Sequence, residues 1–353
     1  MKTLNINLTN KSYTIYIKRD ILDEIGKYLM KNFKGNKIAI ISDYNLNNLY
    51  GSVLLEMIEK GGFKSTLIAI RPGEDSKTMS TLQNVYTQLS SFKIGREDLI
   101  LTFGGGVVGD LGGFAASTYL RGIPYIQIPT SLLAQVDSSI GGKVAVDLTE
   151  GKNLIGSFYH PDAVFIDPNM LKSLDKRFLH DGLAEVMKYG CIKEKTILDK
   201  LLSYKNDIEL LDNIEEIIYM CCKIKKSLVE IDEKDFGERM LLNFGHTLGH
   251  AIEKYYHYKK YTHGEAIGIG MLEITKKSEQ LDITPKETSK LIEKLLIKYN
   301  LPNQLPKMDT QNLLDTISLD KKNCGENINL ILLKTLGQGV IKKIKLKDIS
   351  LYI

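Results

Sequence analysis

The fold of this chain is restricted most by an alternation of strand-like and helix-like segments early in the sequence. Short runs rich in isoleucine cover residues 37–43, 65–70 and 98–103, and segments of helical periodicity separate them. Glycine and proline mark the connections. Such an alternation with short connections is typical of a parallel α/β sheet. Residues 3–18, which alternate apolar and polar around T-N-K-S, predict a β-hairpin before it.

The last of these strands runs directly into a glycine-rich sequence, G-G-G-V-V-G-D-L-G-G, at residues 104–113. Glycines at a strand-to-helix turn let the backbone approach a phosphate, and a helix N-terminus favours negative charge. The spacing Gly104-x-Gly106-x-x-Gly109 fits the dinucleotide fingerprint, but the acid expected about 20 residues later is replaced by an upstream candidate, Asp43. Turn formation and packing are the alternative explanation for these glycines. We expect a nucleotide site with an atypical order of parts.

Two glycine–lysine sequences follow the next predicted strand. That strand lies within residues 124–143, which continue through a Thr-Ser pair to Asp137 and Lys143. Lys152 also follows a glycine, and Asn153 comes next. An ammonium group after a flexible turn can meet a phosphate, so the two lysines predict an anion site. The alternative explanation is that lysine is simply abundant in this chain.

Beyond about residue 168, helical periodicity replaces the strand-like runs. The predicted helices cover residues 176–190, 193–204, 211–230, 240–256 and 264–280. Thr284 then begins the order T-P-K-E, which predicts a capping box with Thr284 as the N-cap of a further helix. The apolar run 328–334 predicts a late strand or tight return. We therefore predict an α/β N-terminal domain with a Rossmann-like parallel sheet (residues 1–170) and a mostly α-helical C-terminal domain (residues 171–353).

Four of the six histidines fall within residues 239–265. His246 and His250 are four residues apart, so both rings leave one face of a helix. His263 follows, and neutral imidazoles suit zinc and similar ions. A buried or solvated histidine pair beside glycines is the alternative explanation. Together with Glu185, a carboxylate on another predicted helix, the set predicts metal-assisted chemistry.

Composition excludes several classes of protein. The net charge is +4, and the basic residues are spread along the chain, which argues against a nucleic-acid-binding arm or a polybasic membrane patch. The four cysteines form no C-x-x-C pair, which fits a reducing compartment. The N-terminal residues show no secretory signal, and no charge-free apolar run reaches the roughly 18 residues of a membrane span. We expect a soluble, cytoplasmic protein.

Six motifs follow one another along the chain: G-G-G-V-V-G-D-L-G-G-F-A-A-S-T-Y-L-R-G, V-D-S-S-I-G-G-K, G-K-N-L-I-G, L-A-E-V-M-K-Y-G, L-L-N-F-G-H-T-L-G-H-A-I-E and H-G-E-A. In this combination and order they resemble the 3-dehydroquinate synthase family of sugar-phosphate cyclases. The resemblance extends over essentially the whole chain. It implies conversion of 3-deoxy-D-arabino-heptulosonate 7-phosphate (DAHP) into 3-dehydroquinate in the shikimate pathway, with bound NAD, one divalent zinc or cobalt ion, and a homodimer.

The resemblance also implies roles for individual residues. The metal ligands would be Glu185, His246 and His263, in a helical metal- and substrate-binding domain. His250 then resembles a phosphate contact, which replaces its interpretation as a ligand. In the NAD-binding domain, the residues that resemble cofactor contacts are Asp43, Glu74, Lys77, Gly105, Gly106, Asp110, Thr130 and Ser131, where the family commonly has threonine in place of Ser131. Residues that resemble catalytic or substrate contacts are Asp137, Lys143, Lys152, Asn153, Lys188, Lys225, Arg239, Asn243 and either Lys321 or Lys322, together with Arg121 contributed across the dimer.

The chemistry implied by the family uses these groups coherently. Transfer of hydride from a substrate hydroxyl carbon to NAD⁺ makes a ketone, which acidifies the neighbouring C–H and allows phosphate to leave. Hydride return, ring opening and an aldol closure follow, so that no net oxidation occurs. Three protein ligands leave coordination positions open for substrate. The alternatives are another sugar-phosphate cyclase, a metal-dependent polyol dehydrogenase, or a non-enzymatic binding module in which the histidine cluster is structural.

Overall fold

The computed structural model describes residues 1–309, 313, 317 and 326–353. The chain forms two compact units, Met1–Leu174 with Ile214–Glu230, and Asp175–Asn213 with Ile231–Ile353. The first unit thus includes a later segment, Ile214–Glu230, which the predicted division into residues 1–170 and 171–353 assigns to the second domain. The assignment of NAD binding to one domain and of metal and substrate binding to the other stays a prediction.

The first unit is built on a parallel sheet, as the alternating pattern predicts. Its strands are β1 (Lys2–Asn7), β2 (Ser12–Ile17), β3 (Lys37–Asp43), β4 (Lys64–Ile70), β5 (Leu99–Gly104), β6 (Tyr125–Pro129), β7 (Lys143–Leu148), β8 (Gly151–Phe158) and β9 (Ala163–Ile166). Its helices are α1 (Leu22–Asn32), α2 (Tyr44–Lys60), α3 (Met79–Ser91) and α4 (Gly106–Thr118). The predicted hairpin, the three strands and the intervening helices are confirmed.

The strand order places two of the sequence motifs side by side. The seven-stranded sheet has the order β1-β2-β9-β6-β5-β3-β4, and only β1 runs antiparallel to its neighbour. From β3 the chain moves outward to β4 and then returns to β5 on the other side of β3. Ligands of open α/β sheets bind at such a switch point, outside the carboxyl ends of the strands. Asp43 ends β3 and Gly104 ends β5, so both predicted nucleotide motifs lie at this point.

The sheet is buried on both faces because alternate residues of its central strands enter two different apolar clusters. In β3, Ile38 and Ile40 pack in one cluster and Ala39 and Ile41 in the other. All residues of β5 are buried. Burial on both faces is what a parallel sheet covered by helices requires, and it explains the near-continuous apolar runs in the sequence.

The second unit is mostly helical. Its elements are α5 (Lys176–Ile192), α6 (Thr196–Ser203), α7 (Asp207–Ile231, of which residues 214–230 belong to the first unit), α8 (His246–Tyr255), α9 (His263–Gln280), α10 (Thr288–Lys298), β10 (Asn327–Thr335) and β11 (Gln338–Lys345). The predicted late strand is confirmed as β10, which pairs antiparallel with β11. Among the described helices, none has the length and apolar character needed to cross a membrane.

Two predictions of local structure need correction, and one element was not predicted. The predicted helix 240–256 is interrupted, because Glu238–Asn243 is a 3-10 turn and Gly245 adopts a left-handed φ of 80° before α8 begins. The capping box at Thr284 is wrong, since α10 starts at Thr288 and the Thr284 hydroxyl donates to the Leu333 carbonyl oxygen instead. The segment with the two glycine–lysine sequences forms an antiparallel ribbon of β7 and β8, which the sequence analysis missed.

Candidate metal centre and cofactor- and substrate-binding groups

Three helices of the second unit bring one carboxylate and two imidazoles together. Glu185 lies within α5, whereas His246 and His263 are the first residues of α8 and α9. The Glu185 Oε1 atom is 3.5 Å from His246 Nε2 and 3.2 Å from His263 Nε2. Ligand atoms about 2.0–2.2 Å from one tetrahedral ion are separated by about 3.3–3.6 Å. The two distances to Glu185 are therefore close to those between ligands of one ion, and all three donor atoms lie within 4.8 Å of one another.

Each histidine is oriented by the ring nitrogen that faces away from Glu185. Nδ1 of His246 is 3.1 Å from the carbonyl oxygen of Phe244, and Nδ1 of His263 is 3.3 Å from Glu253 Oε2. An acceptor at Nδ1 holds the hydrogen there and leaves the Nε2 lone pair for a cation. A carbonyl or carboxylate in this position is the usual partner of a metal-ligating histidine.

The charges around the cluster keep its carboxylate ionised. Burial alone would raise the pKa of Glu185, but the neighbouring Lys188 and the two histidines outweigh it and hold the pKa well below its usual range. Burial, together with Lys188, lowers the pKa of His246. Burial would lower the pKa of His263 as well, but its two carboxylate partners raise it to about 10. A metal ion bound to His263 would have to displace that proton.

Two further side chains of this unit lie beside the three donors. Lys188, one turn along α5, forms a buried ion pair with Glu185. The His250 ring is exposed, with its centroid 5.2 Å from that of His246 and 5.9 Å from that of His263. Metal-binding geometry is also met by a second group, His250, Glu253 and His263. Glu253 was missed by the sequence analysis, although its place three residues after His250 puts it on the same helix face.

The nucleotide motif in the first unit forms the start of α4. Gly105 precedes the helix and Gly106 is its first residue, so the first N–H groups of α4 point to the carboxyl end of β5. A Cβ at Gly104 would lie 2.5 Å from Val108, so packing accounts for this glycine, whereas one at Gly109 would lie 2.9 Å from the end of the Gln127 side chain. A Cβ at Gly105 would meet only ordinary contacts. Packing therefore does not explain Gly105, whereas close approach of a phosphate would.

Asp43 has a structural role in addition to its predicted one. Its Oδ1 accepts hydrogen bonds from the backbone N–H groups of Asn45 (2.9 Å) and Leu46 (3.0 Å), and it thereby caps α2. Thr130 and Ser131 follow β6, the next strand along, and the Thr130 N–H donates to the Gly104 carbonyl oxygen. These predicted cofactor contacts therefore share one edge of the sheet.

Lys77 connects predicted cofactor contacts with a predicted substrate contact. The buried ammonium lies 2.6 Å from Asp110 Oδ2 and donates to Asn153 Oδ1 at 2.5 Å. Glu74 lies 4.0 Å from Lys77 and 3.8 Å from Lys152. Burial alone would lower the pKa of Lys77, but the nearby carboxylates outweigh it and raise it. Five predicted residues of the first unit thus form one charged network.

The structure places the remaining predicted residues as follows. Lys225 forms an ion pair with Asp137 at 2.8 Å, and the exposed Lys143 begins β7. Arg121 is exposed and has a left-handed φ of 70°. In the second unit, Arg239 is buried in the turn that ends at Asn243. Lys321 and its alternative Lys322 lie outside the described residues.

These observations define a class of protein before any comparison is made. The first unit has a Rossmann-like sheet with a glycine turn at its switch point, and the second has two histidines and one carboxylate arranged for a cation. Three ligands with further positions open are typical of a catalytic metal centre. The chain is thus an α/β enzyme of the nucleotide- and metal-dependent class.

Comparison with known proteins identifies the family. Residues 67–181 match the family model described as 3-dehydroquinate synthase N-terminal, and residues 182–323 match the one described as 3-dehydroquinate synthase C-terminal. The 3-dehydroquinate synthase of Clostridium acetobutylicum is 53% identical over 353 residues, covering 100% of this chain and 99% of the relative. That of Clostridium perfringens (strain SM101) is 57% identical over 341 residues, covering 97% of each. The chain belongs to the 3-dehydroquinate synthase family.

A solved structure shares the fold across the chain. The crystal structure of 2-deoxy-scyllo-inosose synthase complexed with carbaglucose-6-phosphate, NAD⁺ and Co²⁺ has a TM-score of 0.87 and 27% sequence identity, and the alignment covers 99% of both chains. The fold predicted from the sequence, an α/β domain followed by a mostly helical region, is confirmed as that of the dehydroquinate synthase-like enzymes.

Proposed function

We propose that this protein converts DAHP into 3-dehydroquinate and phosphate, with NAD and one divalent metal ion as cofactors. This reaction makes it a lyase of the shikimate pathway, which leads to the aromatic amino acids. The observation that carries the proposal is the convergence of His246 Nε2 and His263 Nε2 on Glu185 Oε1, with both Nδ1 atoms held by acceptors. Full-length identity above 50% to relatives named for this activity supports it.

In the second unit, Glu185, His246 and His263 would hold the metal ion. Zinc or cobalt suits two imidazoles and a carboxylate, and the structural relative with 27% identity was solved with Co²⁺. Bound there, the ion would polarise a substrate hydroxyl and lower its pKa. Lys188 would keep Glu185 ionised, and it would also be placed to contact the substrate. His250, exposed beside the cluster, would donate to the substrate phosphate.

In the first unit, the start of α4 would take the cofactor pyrophosphate. Gly105 and Gly106 would let it approach the helix N-terminus, and Asp43 would accept from a ribose hydroxyl. Bound NAD⁺ would supply a hydride acceptor that is restored within the same turnover. The other proposed cofactor contacts are Glu74, Lys77, Asp110, Thr130 and Ser131. The same structural relative was solved with NAD⁺.

Cationic and amide groups would bind the two ends of the substrate. In the first unit, Lys143, Lys152 and Asn153 would contact the anionic substrate, and so would Asp137 and Lys225. In the second unit, Asn243 and the buried Arg239 would contact the end that carries the carboxylate. A guanidinium matches a carboxylate through paired donors. Lys321 remains a proposed contact from the sequence alone.

A cytoplasmic homodimer is the assembly that we propose. Arg121 is exposed, and both it and Leu120 have left-handed φ values, of 70° and 51°. A left-handed φ is costly for a leucine, so this turn is held for a reason beyond local preference. Presentation of Arg121 to a second copy supplies such a reason. Light scattering of the purified protein should give twice the mass of one chain. If Arg121 is contributed to the site of the second copy, Arg121→Ala should lose activity.

The decisive experiment is phosphate release from DAHP by protein stripped of metal, with and without added Zn²⁺ or Co²⁺. We expect release only with metal and NAD⁺ present, together with formation of 3-dehydroquinate. Glucose 6-phosphate should not be turned over at a comparable rate. Equal turnover of the two substrates would indicate another sugar-phosphate cyclase, and NADH accumulating with product would indicate a polyol dehydrogenase.

A further inference from the structure

The ligand His263 is placed at the start of α9 by a side chain from another helix. Asp181, on α5 one turn before Glu185, accepts hydrogen bonds through Oδ1 from the backbone N–H groups of Gly264 (2.6 Å) and Glu265 (3.2 Å). Asp181 is only 6% exposed. A side-chain oxygen on the first N–H groups of a helix fixes where that helix begins. Asp181 therefore fixes the backbone that carries His263 relative to the helix that carries Glu185.

The close approach of these two helices depends on Gly264. A Cβ at this position would lie 2.0 Å from the carbonyl oxygen of Asp181, so no side chain fits. The same junction is closed by Arg177, which donates to both carboxylate oxygens of Glu265 at 2.8 and 2.9 Å. The start of α9 is thus tied to α5 at two successive turns, on the same side as Glu185.

The ring of His263 is held by a second buried carboxylate. Glu253, on α8, is 2% exposed, and its Oε2 lies 3.3 Å from Nδ1. A carboxylate only accepts, so Nδ1 carries a hydrogen towards Glu253, and Nε2, which faces Glu185, is the nitrogen that gives up its proton to a bound ion. Glu253 and Glu185 therefore fix both ends of the imidazole.

We propose that Asp181 and Glu253 are positioning residues of the metal centre. Asp181 sets the backbone of His263, and Glu253 sets the tautomer and the ring plane, so the ligand is in place before the ion binds. This inference rests on the proposed metal centre. It also assigns Glu253 to the support of His263, and not to the alternative donor group that it forms with His250 and His263.

The test is Co²⁺ binding to the metal-free full chain, measured by chelator competition and by the visible absorption of the bound ion. In Glu253→Met and Asp181→Leu, which remove the acceptor at similar volume, we expect affinity to fall about 10–100-fold, as is usual when a partner of a metal-ligating histidine is lost. The absorption spectrum should change with it, since the geometry of His263 is no longer fixed. Glu253→Gln and Asp181→Asn keep an acceptor and should bind within a few-fold of the unmodified protein.

A matched control is available on the same helix. Glu279 accepts hydrogen bonds from the N–H (2.6 Å) and hydroxyl (3.0 Å) of Ser289, next to the start of α10, but it lies about 24 Å along α9 from His263. Glu279→Met should lower thermal stability and leave Co²⁺ binding unchanged. If Asp181→Leu does not fold, Asp181→Ser, with a side chain too short to reach both N–H groups, replaces it and should show the same loss.

The outcomes separate the two proposals. Unmodified protein that binds no Co²⁺ contradicts the proposed metal centre itself. Unmodified affinity and spectrum in both Glu253→Met and the Asp181 variant overturn the positioning roles alone. If Glu253→Gln empties the site as fully as His263→Ala, then Glu253 is a ligand, and the inference is wrong.

Discussion

The proposed carboxylate-binding role of Arg239 leads to the most demanding prediction. Its side chain is 2% exposed, and Nη1 donates to the Glu233 carbonyl oxygen at 2.6 Å. The backbone N–H of Arg239 donates to Asp232 at 3.2 Å. Because the arginine is buried, a solvated pair with these acids at the surface does not account for its position. Arg239→Ala should therefore affect both stability and catalysis.

The two effects have different sizes and different readouts. Loss of a hydrogen bond from a charged donor costs about 1.5–3 kcal/mol, and loss of two buried methylene groups costs about 1.6 kcal/mol, so unfolding should become easier by about 3–5 kcal/mol. Leaving a buried substrate carboxylate without its partner costs about 2–5 kcal/mol in the transition state. At 1.36 kcal/mol for each factor of ten, kcat/KM for DAHP should fall on the order of 30- to 5,000-fold.

Two further variants separate folding from substrate binding. Leu201→Ala, in α6, removes a fully buried side chain that no proposed step uses, and it should cost a comparable 2–5 kcal/mol of stability with unchanged kcat/KM. Arg239→Lys keeps the charge but loses the paired donors, so its kcat/KM should be intermediate. The measurements are denaturant unfolding and steady-state phosphate release. Reduced stability with unchanged kcat/KM in Arg239→Ala would show that the arginine is structural only.

The remaining predictions concern the metal, the cofactor and pH. Chelation should abolish activity, and added Zn²⁺ or Co²⁺ should restore it. Measured by elemental analysis, His263→Ala should lose most of its bound metal, whereas His250→Ala should keep the metal and bind phosphate more weakly. A His250→Ala protein without metal would reverse the ligand assignment. NAD⁺ should be required, yet absorbance at the NADH band should not rise with product. Burial would raise the pKa of Asp207, but hydrogen bonds with Lys176 and His180 outweigh it and lower the pKa. A carboxylate whose pKa is lowered in the folded state stabilises the fold at neutral pH, and this stabilisation is lost as the pH falls through that pKa. Asp207→Asn should therefore reduce the free energy of unfolding by about 0.2–1 kcal/mol at pH 7 and by less below about pH 4. A difference in stability that does not depend on pH would contradict this.

The parallel sheet could be predicted from the sequence because its signal is local. Each central strand is apolar on both faces, and each is bounded by glycine, proline or an N-cap such as Asp43, so strand and helix limits agree closely with the structure. The β7–β8 ribbon could not be predicted in the same way. Its sequence contains glycines and exposed lysines, and its pairing depends on contacts between segments rather than on periodicity.

The donor residues of the candidate metal centre could be predicted from the sequence, but the residues that position them could not. Two histidines four residues apart and a third beyond them can be found by spacing. Glu185 stands 61 residues before His246, so it was noted only as a carboxylate on another predicted helix, and the resemblance implied its role as a ligand. Asp181 stands outside the motifs, and Glu253, although it ends the motif L-L-N-F-G-H-T-L-G-H-A-I-E, was given no role, because a hydrogen bond from a backbone N–H or a ring nitrogen places no demand on sequence spacing. The capping box at Thr284 was predicted wrongly for the opposite reason. The residue order of a cap is present, but the Thr284 hydroxyl donates to a carbonyl oxygen of β10.

The charged residues of α5 show why this part of the chain is arranged for binding at some cost to stability. Asp181, Glu185 and Lys188 are all buried and lie along one stripe of the helix. A buried charge is unfavourable unless it is paired, and even a paired one is often no more stable than an apolar replacement. Each of the three has a partner here. Asp181 accepts from N–H groups of α9, Glu185 and Lys188 form an ion pair, and Glu185 also faces two histidines. The charges of Glu185 and Lys188 are explained by the cation and the anionic substrate that they would bind, and that of Asp181 by the placement of His263.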